Sequence, residues 1–261
     1  MYKKLFTPGP THVREKILNA QAAPMLHHRT KEYSELQRQA TTKLQQLLYT
    51  KQHVYLYASS STGMMEGSVR QASKKKILNT VNGAFSKRWH EITVANNIPC
   101  DTVEAPWGEA ITPELVDEAL SSGEYYQQMD KKYDKHQTPA TPAVSLIQAL
   151  NAQLDDILVV EGLENHWKRH EEMAAYVQNW ARKYFGLFSD EKYLSLTLTN
   201  VKNTRGIDVA ELNNRLALRG AAISNGYGPL KEKCFRIAHM GDLTLDDAKW
   251  ITAQIEDILE L

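Results

Sequence analysis

Hydrophobic positions recur along this chain with two periods that take turns. Leu36, Leu44, Leu47 and Leu48 fall on one stripe of a 3.6-residue repeat and predict a helix over 33–49, after a shorter one through Ile17 and Leu18. The period then shortens. HVYLY (His53–Tyr57) reads as a strand, and behind it come the hydroxyl-rich SSSTG, a helical run, strand-like KILNTV (Lys76–Val81), a helix around 86–95 and strand-like CDTVEA (Cys100–Ala105). Such alternation predicts an α/β layer around a parallel sheet. Thr112 as N-cap, Pro113 at the first helical position, Glu114 in the first turn and Gly123 as a stop mark the next helix. A further buried strand should follow. Instead Glu124–Pro142 is polar, without apolar alternation, and leads into a helix that begins at Thr141 and runs through Leu154.

A second helix over 162–184 carries Trp167, Ala174, Val177, Trp180 and Ala181 at helical spacing. LSLTLTNV, DVAELNNRLALRG, AAISN, CFRIAHM and a last helix capped by Thr244 then predict a compact strand–helix–strand–strand–helix set. The expected division is a larger domain with an N-terminal arm over 1–160 and a small C-terminal α/β domain over 161–261.

Composition narrows the partners. At 261 residues and 42% hydrophobic, the chain can bury one sizeable core or two small ones. Basic and acidic side chains balance at 31 each, which removes the general pull toward nucleic acid or anionic lipid and favours a small neutral or anionic ligand. Cys100 and Cys234 form no CxxC pair, so the reading is reduced thiols and a cytoplasmic protein, with no disulfide framework and no metal site. The lysines at 3 and 4 have no apolar run behind them, and no window approaches a membrane span.

Several clusters carry candidate chemistry. The loop at Ser59–Gly63, between a strand-like and a helix-like run, aims free amides and the positive end of a helix dipole at one point, which suits phosphate; a plain Ser/Thr helix cap fits the same residues. His166 and His170 are four apart on one helix, but the glutamate of a zinc-protease motif is replaced by Trp167, and a surface helix pair is the expectation. His27, His28 and Arg29 either hold a carboxylate or cap a helix, and Lys74–Lys76 read as a solvated end between helix and strand. Arg236 lies inside the apolar run CFRIAHM, where a guanidinium needs an anion: a substrate carboxylate gripped by two parallel hydrogen bonds, or an internal Asp or Glu. Phe85, after an Asn-Gly turn, either stacks on a flat heterocycle or fills the core, the commoner fate of a phenylalanine.

TPGPT, HHR, SSSTGMMEGSVR, VNGAFSKRW, WGEAITPELVDEAL, HQTPATPAVSLI, EGLENHWKRH, NTRGID, ISNGYG and FRIAHMGDLT, in that order, resemble the landmarks of the class V aminotransferases, and among them the alanine–glyoxylate / serine–pyruvate group. The resemblance runs from Leu5 to Leu259. It implies a fold-type I architecture, with a truncated, mainly parallel large domain and a smaller C-terminal α/β domain, and it implies pyridoxal 5′-phosphate. Thr62 and Gly63 then match the cofactor-phosphate loop, although Ser61 and Met64 depart from the residues many members have there. Phe85 matches the aromatic stacked on the pyridine ring. Gln137 and Thr138 match the pair that reaches the phosphate from a neighbouring subunit, which implies a homodimer. Arg236 matches the arginine that binds the substrate α-carboxylate, and Gly9 a substrate-lining position.

The same resemblance accounts for the interrupted alternation. Family members carry several strand–helix units between the counterparts of Ser121–Gly123 and Tyr125–Tyr126, including the aspartate that pairs with the pyridine nitrogen and the lysine that forms the Schiff base. This chain has no counterpart of either, so no catalytic residue is assigned and no covalent attachment of the cofactor is expected. The implied reaction moves an amino group from alanine or serine to glyoxylate or pyruvate and is impaired here. The competing expectations are a non-catalytic remnant that dimerises or binds ligand, and a generic phosphate binder without a GxGxxG or P-loop pattern.

Overall fold

The computed structural model describes residues 3–72, 76–120 and 143–261. The chain forms two compact units, one of residues 19–158 and the other of 1–18 together with 159–261.

In the first unit, α2 (Lys31–Leu47) starts at Thr30, whose side chain accepts from the Tyr33 amide, and packs on α6 (Val144–Asp155). Tyr33, Ala40, Val144 and Ile147 make its small buried cluster, and Lys43 ties the pair by binding Asn151 at 2.8 Å and Asp155 at 2.6 Å. The strand expectations at Lys76–Val81 and Cys100–Ala105 become β2 (Ile77–Val81) and β3 (Cys100–Glu104), paired in parallel from Ile77 opposite Cys100 to Val81 opposite Glu104. They are flanked by α4 (Ala84–Ala95) and α5 (Pro113–Leu120), with α3 (Ser61–Ala72) packed on α4.

One expectation fails. HVYLY is not a strand, although Val54 and Leu56 are half-buried while His53, Tyr55 and Tyr57 face outward. The two-residue period is present, but a strand exists only where another backbone completes its ladder, and among the described residues β2 and β3 pair only with each other. The stop expected at Gly123, the helix start at Thr141 and Pro142, and Lys74 and Lys75 lie outside the described residues.

The second unit holds most of the buried apolar side chains. β4 (Leu198–Lys202), β7 (Cys234–Ala238) and β6 (Ser224–Asn225) form an antiparallel sheet with β7 in the middle, while β1 (Lys4–Leu5) pairs in parallel with β5 (Ala221–Ala222). β7 is covered on both faces: Phe235 and Ile237 enter the core, where the Phe235 ring meets Phe185 edge-on at 5.2 Å, while Cys234 and Ala238 on the other face are also buried and only Arg236 keeps some exposure. α7 (Leu163–Tyr184) and α9 (Leu245–Leu259) pack together, joined by the Trp180 indole donating to Glu256 at 2.9 Å. Thr244 caps α9 and exchanges a reciprocal bond with Asp247, a capping box. α8 (Val209–Leu218) starts at Asp208, which accepts from the Glu211 amide. Phe6 is buried here, and its carbonyl accepts from the Ala238 amide, so the N-terminal arm is pinned against the end of β7.

Among the described residues no helix is long and apolar enough to cross a membrane.

Candidate functional site

Thr62, Gly63 and Phe85 belong to the unit of residues 19–158, and Gly9 and Arg236 to the other. Gln137 and Thr138 lie outside the described residues.

At the start of α3, the Ser60 hydroxyl accepts from the Gly63 amide at 3.2 Å, and the Ser60 carbonyl accepts from the Met64 amide. Ser60 is therefore the cap, and the Ser61 and Thr62 amides head the helix without an intrahelical acceptor. A Cβ at Gly63 would sit 2.3 Å from the Ser59 hydroxyl, which would have to rotate away. The Gly63→Ala substitution is accordingly expected to displace Ser59 and to weaken inorganic phosphate binding about tenfold, measurable by titration calorimetry on the full chain.

β2 delivers its chain through Asn82 and Gly83 into α4, where the Ser86 hydroxyl accepts from both of their amides, at 3.0 and 3.1 Å. This fixes Phe85 on the first turn. Phe85 is 58% exposed, so of its two expected fates the core is the one the fold does not use. Arg88, one turn further along, places its guanidinium 5.3 Å from the Phe85 ring centroid and donates to the Thr62 hydroxyl at 3.3 Å. Thr62, Arg88 and Phe85 thus form one row. Sequence reasoning passed over Arg88, although its spacing of three from Phe85 puts both on one helix face. Hydroxyls, leading amides, a bare glycine and a guanidinium suit a phosphate group, with an exposed ring beside it for a flat heterocycle.

In the other unit, Arg236 stands in mid-β7, opposite Asn200 on β4 and Ser224 on β6. Its Nε and Nη2 both donate to the Asn225 carbonyl, at 3.0 and 2.9 Å. Among the described residues Arg236 has no carboxylate partner, so the internal salt bridge is not formed, and the two N–H donors on Nη1 with the second on Nη2 remain for an outside anion. Gly9 precedes a cis bond to Pro10, and a Cβ on it would meet nothing within 4 Å. Its smallness is not demanded by its own unit.

His166 and His170 prove not to be a plain surface pair. His170 is buried, donates from Nδ1 to the His166 carbonyl at 2.7 Å, and is pushed below the usual imidazole range by burial. His166 meets Glu161 at 2.7 Å, and Arg169 grips the same carboxylate at 2.6 Å, which holds Glu161 down to about 2. Arg169 also donates to the Gly241 and Leu243 carbonyls and so fastens α7 to the loop after β7. Among the described residues no group of three or more His, Cys, Asp or Glu could hold a metal ion. The His27 carbonyl accepts from the Thr30 amide, so HHR forms the turn that leads into α2.

No family model matches the chain. It is 27% identical to an uncharacterized aminotransferase of Methanocaldococcus jannaschii, over 92% of this chain and 88% of that one. It is 23% identical to the L-aspartate–glyoxylate aminotransferase of Paracoccus denitrificans, over 92% and 87% respectively. The crystal structure of an alanine–glyoxylate aminotransferase from Nostoc sp. superposes with a TM-score of 0.87 at 16% identity, covering 99% of this chain and 96% of the other. Its relatives and its fold are those of the class V aminotransferases.

Measured against that family the chain is short. The stretch aligned with the M. jannaschii aminotransferase spans 339 positions, more than the 261 residues present here. A serine–glyoxylate aminotransferase of Methylorubrum extorquens is also among its relatives, 26% identical over 62% of this chain and 42% of that one.

Proposed function

We propose that this chain derives from an aminotransferase that moves an amino group from a small amino acid, alanine or serine, to glyoxylate or pyruvate, and that it docks cofactor and substrate without completing the exchange. The observation that carries this reading is the two-stranded β2–β3 sheet beside a strand-patterned HVYLY that pairs with nothing among the described strands. Two parallel strands are a fragment of a sheet, since parallel sheets are normally covered on both faces and extended by further strands. An apolar cavity of about 330 Å³, lined by Tyr55, Tyr57, Met64, Leu146 and Leu150, lies along the same segment. Missing strand–helix units after Leu120 account for both features, for the polar stretch that follows, and for an alignment longer than the chain.

The residues present fit the phosphate and ring of pyridoxal 5′-phosphate: the Ser59–Gly63 turn, where a Cβ would fill the cradle, with Thr62 on the phosphate and Phe85 beside the ring. When bound, that cofactor supplies an electron sink for the substrate carbon that loses its proton. Arg236 orients the substrate by its α-carboxylate through paired N–H donors, with Gly9 close by. On the same reading the chain acts as a cytoplasmic homodimer with shared sites; Gln137 and Thr138, which the resemblance assigns to a neighbouring subunit's phosphate, lie outside the described residues.

Amino transfer also needs an amine to carry the cofactor and move a proton, and an acid at the ring nitrogen. Lys87 lies 3.9 Å from Glu91, and Lys76 is paired with Asp101, so both spend their charge on surface carboxylates. Neither stands where the family has its lysine. A second reading, a non-catalytic module that associates through its apolar surface, draws support from the exposed Met25, Leu48, Tyr49 and Leu146.

Borohydride reduction of the full chain with pyridoxal phosphate, followed by intact mass and peptide mapping, tests the proposal. The expected result is scattered, substoichiometric labelling. Stoichiometric reduction onto one lysine contradicts it.

A further inference from the structure

We propose that Arg88 is a positioning residue of the phosphate site, orienting the Thr62 hydroxyl toward a phosphate dianion while bracing Phe85. The inference rests on the phosphate reading of the Ser59–Gly63 turn.

The argument begins with the valence of one hydroxyl. Thr62 Oγ1 accepts the Arg88 Nη1–H at 3.3 Å. A threonine hydroxyl has a single proton to give, and with a cationic donor on its lone pair that proton is directed away from the arginine, toward an acceptor. The acceptor that best rewards this arrangement is an anion, because the guanidinium polarises the hydroxyl and adds permanent positive charge beside it. The amides heading α3 lie on the same turn, so partial and full positive charges converge there. The same guanidinium lies over Phe85, which is fixed to the first turn of α4 by Ser86. One side chain therefore sets the spacing between phosphate and ring. The Ser60 hydroxyl accepts from the Gly63 amide and likewise keeps its own proton to donate, beside Thr62.

The competing account is that Arg88 merely ties α3 to α4, which pack together. The two accounts differ in what they predict for ligands with and without a phosphate. Full-length wild type, Arg88→Gln, Arg88→Lys, Thr62→Val and the Arg88→Gln/Thr62→Val double variant are titrated with inorganic phosphate, pyridoxal 5′-phosphate and unphosphorylated pyridoxal. Circular dichroism and intrinsic tryptophan fluorescence report on folding.

Arg88→Gln is expected to weaken both phosphate ligands about tenfold or more and pyridoxal less than threefold, with Arg88→Lys recovering part of the loss. The double variant is expected to lose less than the product of the two single losses, as two groups acting through one hydrogen bond do. Equal losses for all three ligands, or none in Arg88→Gln, overturn the assignment while leaving the phosphate reading intact. If wild type binds neither phosphate ligand, the phosphate reading fails and this inference falls with it. Should Arg88→Gln not fold, additive losses of phosphate affinity in an Arg88→Lys/Thr62→Val double variant overturn the inference.

Discussion

Lowering the pH from 7 to 4 is expected to speed hydrogen exchange at the amides of β4 and β7 about a hundredfold, after correction for intrinsic rates. The cause is His239. It is 1% exposed, its Nε2 is bound to the Thr199 hydroxyl at 2.9 Å, and burial pushes its imidazole down to about 4. The unfolded chain takes up this proton at the ordinary 6.5, before the folded chain does. The stability contributed by the neutral ring is therefore complete above 6.5 and is lost as pH falls toward 4, by at most about 3 kcal/mol. His170, buried nearby and also lowered, acts in the same direction.

Glu161 occupies a lower window. Its carboxyl is held at about 2 against a usual 4.5, first by the Arg169 hydrogen bond, so its contribution is full above 4.5 and drains only between there and 2. His239→Gln is expected to flatten the limb between 6.5 and 4 and to leave the Glu161 limb in place. Exchange rates in β4 and β7 that do not change between pH 7 and 4 would contradict this account.

Arg236→Leu is expected to weaken pyruvate binding about a hundredfold. A bidentate, charge-assisted pair is worth on the order of 3 kcal/mol where it is shielded from water. The same substitution removes both donors from the Asn225 carbonyl, so a stability loss of about 1 kcal/mol is expected alongside, read by urea denaturation. Arg236→Lys should keep the charge and lose the fork, and so fall between wild type and Arg236→Leu. Ligand-observed NMR with pyruvate reads the series. An unchanged affinity in Arg236→Leu would mean that the guanidinium serves only to hold β6.

What the sequence made legible follows from how local each signal is. Thr244 caps α9 through a bond from the Asp247 amide three positions on, and the start of that helix follows. Pro113 marks the start of α5 because its fixed φ suits the first helical position and its missing N–H is not needed there. Arg236 was conspicuous because charge inside an apolar run demands a partner, but only the fold identified that partner as the Asn225 carbonyl. HVYLY was misread because alternation records burial, while a strand needs a neighbour that may lie anywhere in the chain. His239 was passed over because nothing in CFRIAHM shows how deeply one ring is buried. Arg88 acts across two helices, and no spacing within α4 reveals that Thr62 waits on α3.

The central claim is that the chain holds phosphate and carboxylate without the amine and acid that would complete amino transfer. Glycine formation from alanine and glyoxylate by the purified chain, with saturating pyridoxal phosphate and an intact mass matching 29.7 kDa, tests it most directly. The account predicts no glycine above the protein-free control, whereas turnover on the order of 1 s⁻¹ or faster, ordinary for an enzyme, contradicts it.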